Sequence, residues 1–144
     1  MKKRGFGVGK WNGFGGKVQD GETIEAAAIR ELYEEAGVRT ALTDLHSVGS
    51  VKFYFNDKPE WNQQMHIYLI DEWEGEPQES EEMLPKWFAK TEIPYESMWV
   101  ADCRWMSHVF DGQIIEAEVY FNQDGAELDK FVVKELITQD DGKL

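Results

Sequence analysis

A chain of 144 residues with a formal charge of −13 and one cysteine, Cys103, suits a single domain with one active site, and it excludes an intrachain disulfide or a thiolate metal cage. Hydrophobic content of 42%, with six Trp, can bury an aromatic-rich core and excludes a disordered chain. The acidic balance argues against a sequence-independent nucleic-acid binder, which needs Lys and Arg to displace counterions from phosphates; a free nucleotide stays accessible where a cation mediates the contact.

In chain order, Lys2 to Lys17 alternates glycines with Phe6, Trp11 and Phe14, which predicts a strand-loop passage held against something bulky. Asp20-Gly21 reads as a turn, Thr23 as a helix N-cap and Ile24 to Ala36 as a helix stopped by Gly37. Strands are expected at His46 to Phe55 and Met65 to Trp73, joined by a loop from Asp57 to Gln64. The acidic run Glu74 to Glu82 is expected to be solvated, Pro85 to Phe88 a short strand, and Ser97 to Phe110 a helix behind Pro94. The tail reads as a hairpin: Gln113 to Phe121, a turn from Asn122 to Gly125, then Glu127 to Ile137, with Asp140 to Leu144 frayed. The basic start leads into glycine rather than an apolar segment, and no run approaches about 18 apolar residues, so a cytoplasmic protein without membrane partners is expected.

On the first helix, Glu31, Glu34 and Glu35 fall within an arc of roughly 100° at about 100° per residue, beside a face made by Ala28, Ile29 and Leu32. A solvated acidic stripe is the ordinary reading of three such glutamates. Their mutual repulsion favours a hard cation, and Mg²⁺, with Mn²⁺ as the alternative, suits carboxylates that share the ion with substrate phosphates. Arg30 lies where it can hold one carboxylate by a bidentate pair.

Gly16, five residues, Glu22, seven residues, then Arg30-Glu31-Leu32-Tyr33-Glu34-Glu35-Ala36-Gly37-Val38 fill every fixed position of the pattern G-x5-E-x7-R-E-U-x-E-E-x-G-U. The sequence therefore resembles the Nudix hydrolases. That resemblance implies an α/β fold, the Nudix α/β/α sandwich on a mixed sheet. It implies water attack on a nucleoside diphosphate derivative, with Glu31, Glu34 and Arg30 in catalytic roles. The implied metal ligands are Glu31, Glu34 and Glu35, the Gly15 carbonyl and Glu82.

Further runs, Lys2-Lys3-Arg4-Gly5-Phe6-Gly7, Trp11 to Lys17, Glu82-Met83, Trp87-Phe88 and Met98-Trp99, are similar to the oxidised-purine triphosphatases of the family. By that resemblance Asn12 and Asp102 read the base, Trp99 stacks on it, Phe53 and Met83 line its pocket, and Lys2 contacts the substrate. The residues alone leave other readings open: Phe53, Met83 and Trp99 as core, Asn12 as a turn residue, His66 as an ordinary strand residue, and Cys103 at either core or pocket. Ala101 stands where the animal relatives carry a second acid, which leaves the preferred purine open, and Arg104 replaces an aromatic.

The family pattern also begins with an apolar strand upstream of Lys2 that this sequence lacks. A monomer acting on a free nucleotide is expected, with edge-to-edge dimerisation as the alternative where that strand is missing. Another nucleoside diphosphate derivative as substrate, or a nucleotide-binding module with weak turnover, completes the alternatives.

Overall fold

The computed structural model describes residues 1–138, with elements α1 (Ile24–Ala36), β1 (Leu45–Phe55), β2 (Gln63–Ile70), α2 (Asp102–Phe110), β3 (Gln113–Asn122) and β4 (Glu127–Thr138). The strands form one sheet in the order β2-β1-β3-β4. β1 runs parallel to β3, and β3 antiparallel to β4, so the sheet is mixed and the expected α/β class is observed. The expectation of a frayed Asp140 to Leu144 falls outside the described residues.

By Cα proximity the chain divides into two units, each made of two segments: residues 1–45 with 70–98, and residues 46–69 with 99–144. The second unit holds the hydrophobic core. β1 buries Val51, Phe53 and Phe55 while exposing Lys52, and β3 buries Ile115, Ala117, Val119 and Phe121 at every second residue. Parallel register sets Val51 beside Ala117, Phe53 beside Val119 and Phe55 beside Phe121, so the two apolar rows fall on one face. Helix α2 packs against β3 and closes that face with Val109. Each such fully buried Val, Ile or Phe contributes about 1.5–3 kcal/mol.

In the first unit, α1 starts where Thr23 Oγ1 accepts the Ala26 N–H at 3.0 Å, continues through three alanines, and ends at Gly37. Gly37 takes a left-handed conformation (φ 71°) that returns its N–H to the Tyr33 carbonyl. Around the helix the backbone is mostly irregular, tied by antiparallel bridges between Lys2 and Met83 and between Arg39 and Glu74.

Four expectations need correction. β2 starts at Gln63 and ends at Ile70, short of Trp73, because the backbone beyond it pairs Glu74 with Arg39 in both directions (3.0 and 2.8 Å). Pro85 to Phe88 is not a strand: pairing stops after Leu84 N–H reaches the Met1 carbonyl, and Pro85 has no N–H with which to continue. The helix expected from Ser97 begins at Asp102, because Tyr95–Ser97 forms a 3₁₀ turn and Met98 is extended (φ −121°, ψ 177°). The opening residues form turns rather than a strand; Lys2 and Gly9–Lys10 exchange backbone hydrogen bonds across the loop, leaving the Lys2–Met83 bridge as the one strand-like feature there. The tail hairpin is as expected, with a 3₁₀ turn at Gln123–Gly125. Among the described residues, no helix is long and apolar enough to cross a membrane.

Candidate functional site

The acidic face of α1 is organised by Arg30. Its Nε and Nη2 donate to the two carboxylate oxygens of Glu22 at 2.7 and 3.0 Å, a bidentate pair. Nη1 donates to Glu31 at 2.8 Å and to Glu34 at 3.1 Å, and Nη2 also reaches the Lys17 carbonyl at 3.1 Å. All five guanidinium N–H groups are thus used, and one cation fixes three carboxylates and the loop before the helix. The hydrogen bonds from Arg30 and from the Gln19 N–H hold the Glu22 carboxyl down to about 2. Conversely, Glu22 and Glu31 raise the Arg30 pKa further, so it stays charged at any working pH.

Glu35 is the odd member. It is 1% exposed, and one oxygen accepts the Gly15 N–H at 2.7 Å. Burial, the largest effect, raises its pKa, with Glu31 and Glu82 pushing the same way; the Gly15 hydrogen bond and the Lys2 charge oppose. The charges of Lys2, Glu31 and Glu82 thus act on Glu35, which is tied to Gly15. Gly16 has to be small, since a β-carbon there would lie 2.4 Å from a Glu31 carboxylate oxygen.

The donors offered are therefore carboxylate and backbone oxygens, the kind a hard divalent cation prefers. Among the described residues no three His, Cys, Asp or Glu side chains converge as a ready metal cage. Glu31 and Glu34 face Arg30, and Glu35 faces the Gly15 N–H. The oxygens match such a cation in kind and are held in store by those partners.

The other expected residues in this unit divide. Met83 is 1% exposed and bridged to Lys2, while Glu82 is partly exposed and touches Arg4 at 3.3 Å. Asn12 is exposed, and its Oδ1 accepts the N–H of its own neighbour Gly13 at 3.0 Å, as a turn residue does.

In the second unit, Phe53, Phe55 and Trp99 meet on Phe121. Phe53 stacks parallel to Phe121 at 6.0 Å, Phe55 lies 4.9 Å from it, and Trp99 lies 6.0 Å away at 46°. Phe55 also meets the Trp99 ring edge-on. Asp102 is 5% exposed at the start of α2, its N–H on the Trp99 carbonyl and its Oδ1 accepting the Trp105 indole N–H at 3.1 Å. Ala101 beside it is fully buried, whereas Cys103 is exposed. Phe121 went unremarked as a site residue in the sequence; its signal was the alternation of β3, which places residues 115 to 121 inward on odd numbers.

Comparison with known proteins follows the same lines. The family model described as the NUDIX domain matches residues 1–109. The chain is similar to the "Oxidized purine nucleoside triphosphate hydrolase" of Danio rerio, 55% identical over 105 residues, and to that of Mus musculus, 52% identical over 105 residues. In both cases the match covers 73% of this chain but 65% of the relative, less than two thirds of its length. An Escherichia coli protein named 8-oxo-dGTP diphosphatase is 33% identical over 75 residues, covering 52% of this chain and 54% of its own. Among solved structures, the MutT protein of Bacillus halodurans shares the fold with a TM-score of 0.75 at 24% identity, over 88% of this chain and 83% of that one.

Proposed function

This chain belongs to the Nudix family, and from that premise we propose that it hydrolyses purine nucleoside triphosphates, oxidised ones among them, to the monophosphate and pyrophosphate. The observation that carries the reading is the Arg30 hub, which aims Glu31 and Glu34 beside a buried Glu35. A divalent cation, Mg²⁺ by preference and Mn²⁺ as the alternative, would be held by Glu31, Glu34, Glu35, Glu82 and the Gly15 carbonyl. When bound, it neutralises polyphosphate charge and lowers the pKa of water.

The chain's own residues supply the rest. Arg30 keeps Glu31 and Glu34 oriented, and one of those carboxylates accepts the proton of the attacking water as the α–β phosphoanhydride bond breaks. Lys2 offers positive charge to the phosphates of a substrate that an otherwise acidic chain would repel. In the second unit, Trp99 and Phe53 provide flat apolar faces for a purine and Asp102 a polar group for its edge; in the first, Met83 offers an apolar side chain and Asn12 a carboxamide. Removal of oxidised purine triphosphates from the nucleotide pool is the biological sense of such an activity, and the animal relatives are named for the hydrolysis of oxidised purine nucleoside triphosphates. We read residues 1–144 as one functional domain acting as a cytoplasmic monomer on free nucleotide, without nucleic acid or membrane.

One observation favours a second substrate class. Ala101 is fully buried and carries no acid, so Asp102 alone is available there, and its Oδ1 is already engaged by Trp105. A Nudix pyrophosphatase for another nucleoside diphosphate derivative follows if a single carboxylate fails to select the oxidised base.

Hydrolysis of 8-oxo-dGTP, 2-oxo-dATP, dGTP and a diadenosine polyphosphate, with Mg²⁺ and the nucleotide products resolved by chromatography, separates these readings. Turnover selective for the oxidised purines is the expected result. Equal turnover of dGTP, or preference for the dinucleotide, replaces it with the second reading, and a folded protein that binds nucleotide without turnover refutes catalysis.

A further inference from the structure

The β3–β4 turn contains a glycine whose missing side chain is occupied by an aromatic ring. Gly125 is buried with φ +90°, and a β-carbon built there would lie 2.5 Å from Cζ3 and 3.3 Å from Cε3 of Trp99, and 3.2 Å from Cε1 of Phe55. The benzo edge of the indole thus rests directly on the turn backbone. We propose that Gly125 is a positioning residue for the purine site: it seats Trp99 at the depth and tilt at which its indole stacks on a base. This deepens the reading of Trp99 as the stacking residue and rests on it.

Two further observations make the seat rigid rather than incidental. The turn is clamped from the loop after β1: Asp57 accepts the Gln123 N–H at 2.7 Å, Asn56 Nδ2 donates to the Asn122 side chain at 2.8 Å, and Asn56 N–H reaches the Phe121 carbonyl at 2.9 Å. A turn held this way cannot back off by the ångström that a methyl group would demand. The indole cannot easily retreat either, because Phe55 meets it edge-on at 6.1 Å and Phe121 lies against it at 6.0 Å. A methyl at position 125 must therefore move Trp99 itself, and sub-ångström misplacement of a recognition group is enough to change binding.

The test uses uniformly ¹⁵N-labelled chain, whose six tryptophans give indole N–H signals, and Trp99→Phe identifies the one belonging to Trp99. Gly125→Ala is expected to shift that signal. In steady-state kinetics with 8-oxo-dGTP it is expected to raise KM by about 10-fold with kcat within about threefold, the pattern of lost substrate binding. In the Trp99→Phe background the benzo edge is gone, so adding Gly125→Ala is expected to change KM by less than about twofold. Backbone strain at φ +90° is the same in both backgrounds and cancels in this comparison.

An unmoved Trp99 signal and unchanged KM in folded Gly125→Ala overturn the proposal, as does an equal effect in both backgrounds. If Gly125→Ala does not fold, recovery of folding by the double variant supports the seat, and failure of both assigns the glycine to turn conformation alone. If the wild type hydrolyses no purine triphosphate while the Trp99 signal still moves, the seat stands and the functional reading falls.

Discussion

The two regions on which the account rests are built on opposite principles. Around α1 the working groups are charged and most are partly exposed; Glu22, Glu31 and Glu34 are held by hydrogen bonds to one cation, Arg30, and Glu35 by the Gly15 N–H. Around Phe121 they are aromatic, mostly buried, and held by ring packing and by the Gly125 turn. The first region would be able to exchange partners, since a carboxylate released from Arg30 could turn to a divalent cation instead. The second cannot, because displaced rings leave voids. Chemistry that changes charge during a reaction belongs with the first, and recognition that depends on a fixed surface with the second.

The largest effect that would break this contrast lies in the aromatic region. Phe121→Ala should cost about 3–5 kcal/mol in chemical denaturation, by removing the ring on which Phe53, Phe55 and Trp99 meet. A loss below about 1 kcal/mol would mean that the region repacks as freely as the charged one. Next, Arg30→Lys keeps the charge but loses the five-donor fork, and should lower kcat/KM by about 10–100-fold with a native-like circular dichroism spectrum.

Glu35→Gln sharpens the comparison by opposing stability and activity. Because burial raises the Glu35 pKa, the folded state prefers the protonated acid; that preference stabilises at low pH and is lost as pH rises through the raised value. In chelator at neutral pH, Glu35→Gln should therefore raise Tm, while impairing Mg²⁺-dependent turnover. The Tm gain should disappear in acid.

Glu22 gives the smallest effect and the opposite sign. Its carboxyl is held near 2 against an ordinary 4.5, so the Arg30 pair contributes above about pH 4.5 and is lost as pH falls through about 2. The Tm difference between wild type and Glu22→Gln should accordingly shrink on acidification from pH 5 to pH 2.

The same contrast explains what the sequence made legible. The charged region is local: Gly15 to Gly37 form a loop and one helix, so spacing alone placed Arg30 among its carboxylates, and Thr23 and Gly37 marked the helix ends. The strand pattern of β3 and the turn before β4 were equally plain, because alternation and a glycine turn are nearest-neighbour signals. The start of α2 was not, since the extended Met98 that delays it has no mark in the run Ser97-Met98-Trp99. Nor was the Gly125 seat for Trp99, which depends on where two distant segments meet. Glu82 fell in between: nothing local distinguishes it from Glu79 or Glu81, and only the family resemblance singled it out.

The central claim is that phosphate chemistry resides in the α1 carboxylates and base recognition in the aromatic region. Steady-state kinetics on 8-oxo-dGTP for Glu34→Gln and Trp99→Ala, at saturating Mg²⁺, test it most directly. The account predicts that Glu34→Gln lowers kcat by about 10²–10⁴-fold with KM within a few fold, and that Trp99→Ala raises KM by about 10-fold with kcat largely kept. Losses confined to kcat in both variants, or to KM in both, would contradict it.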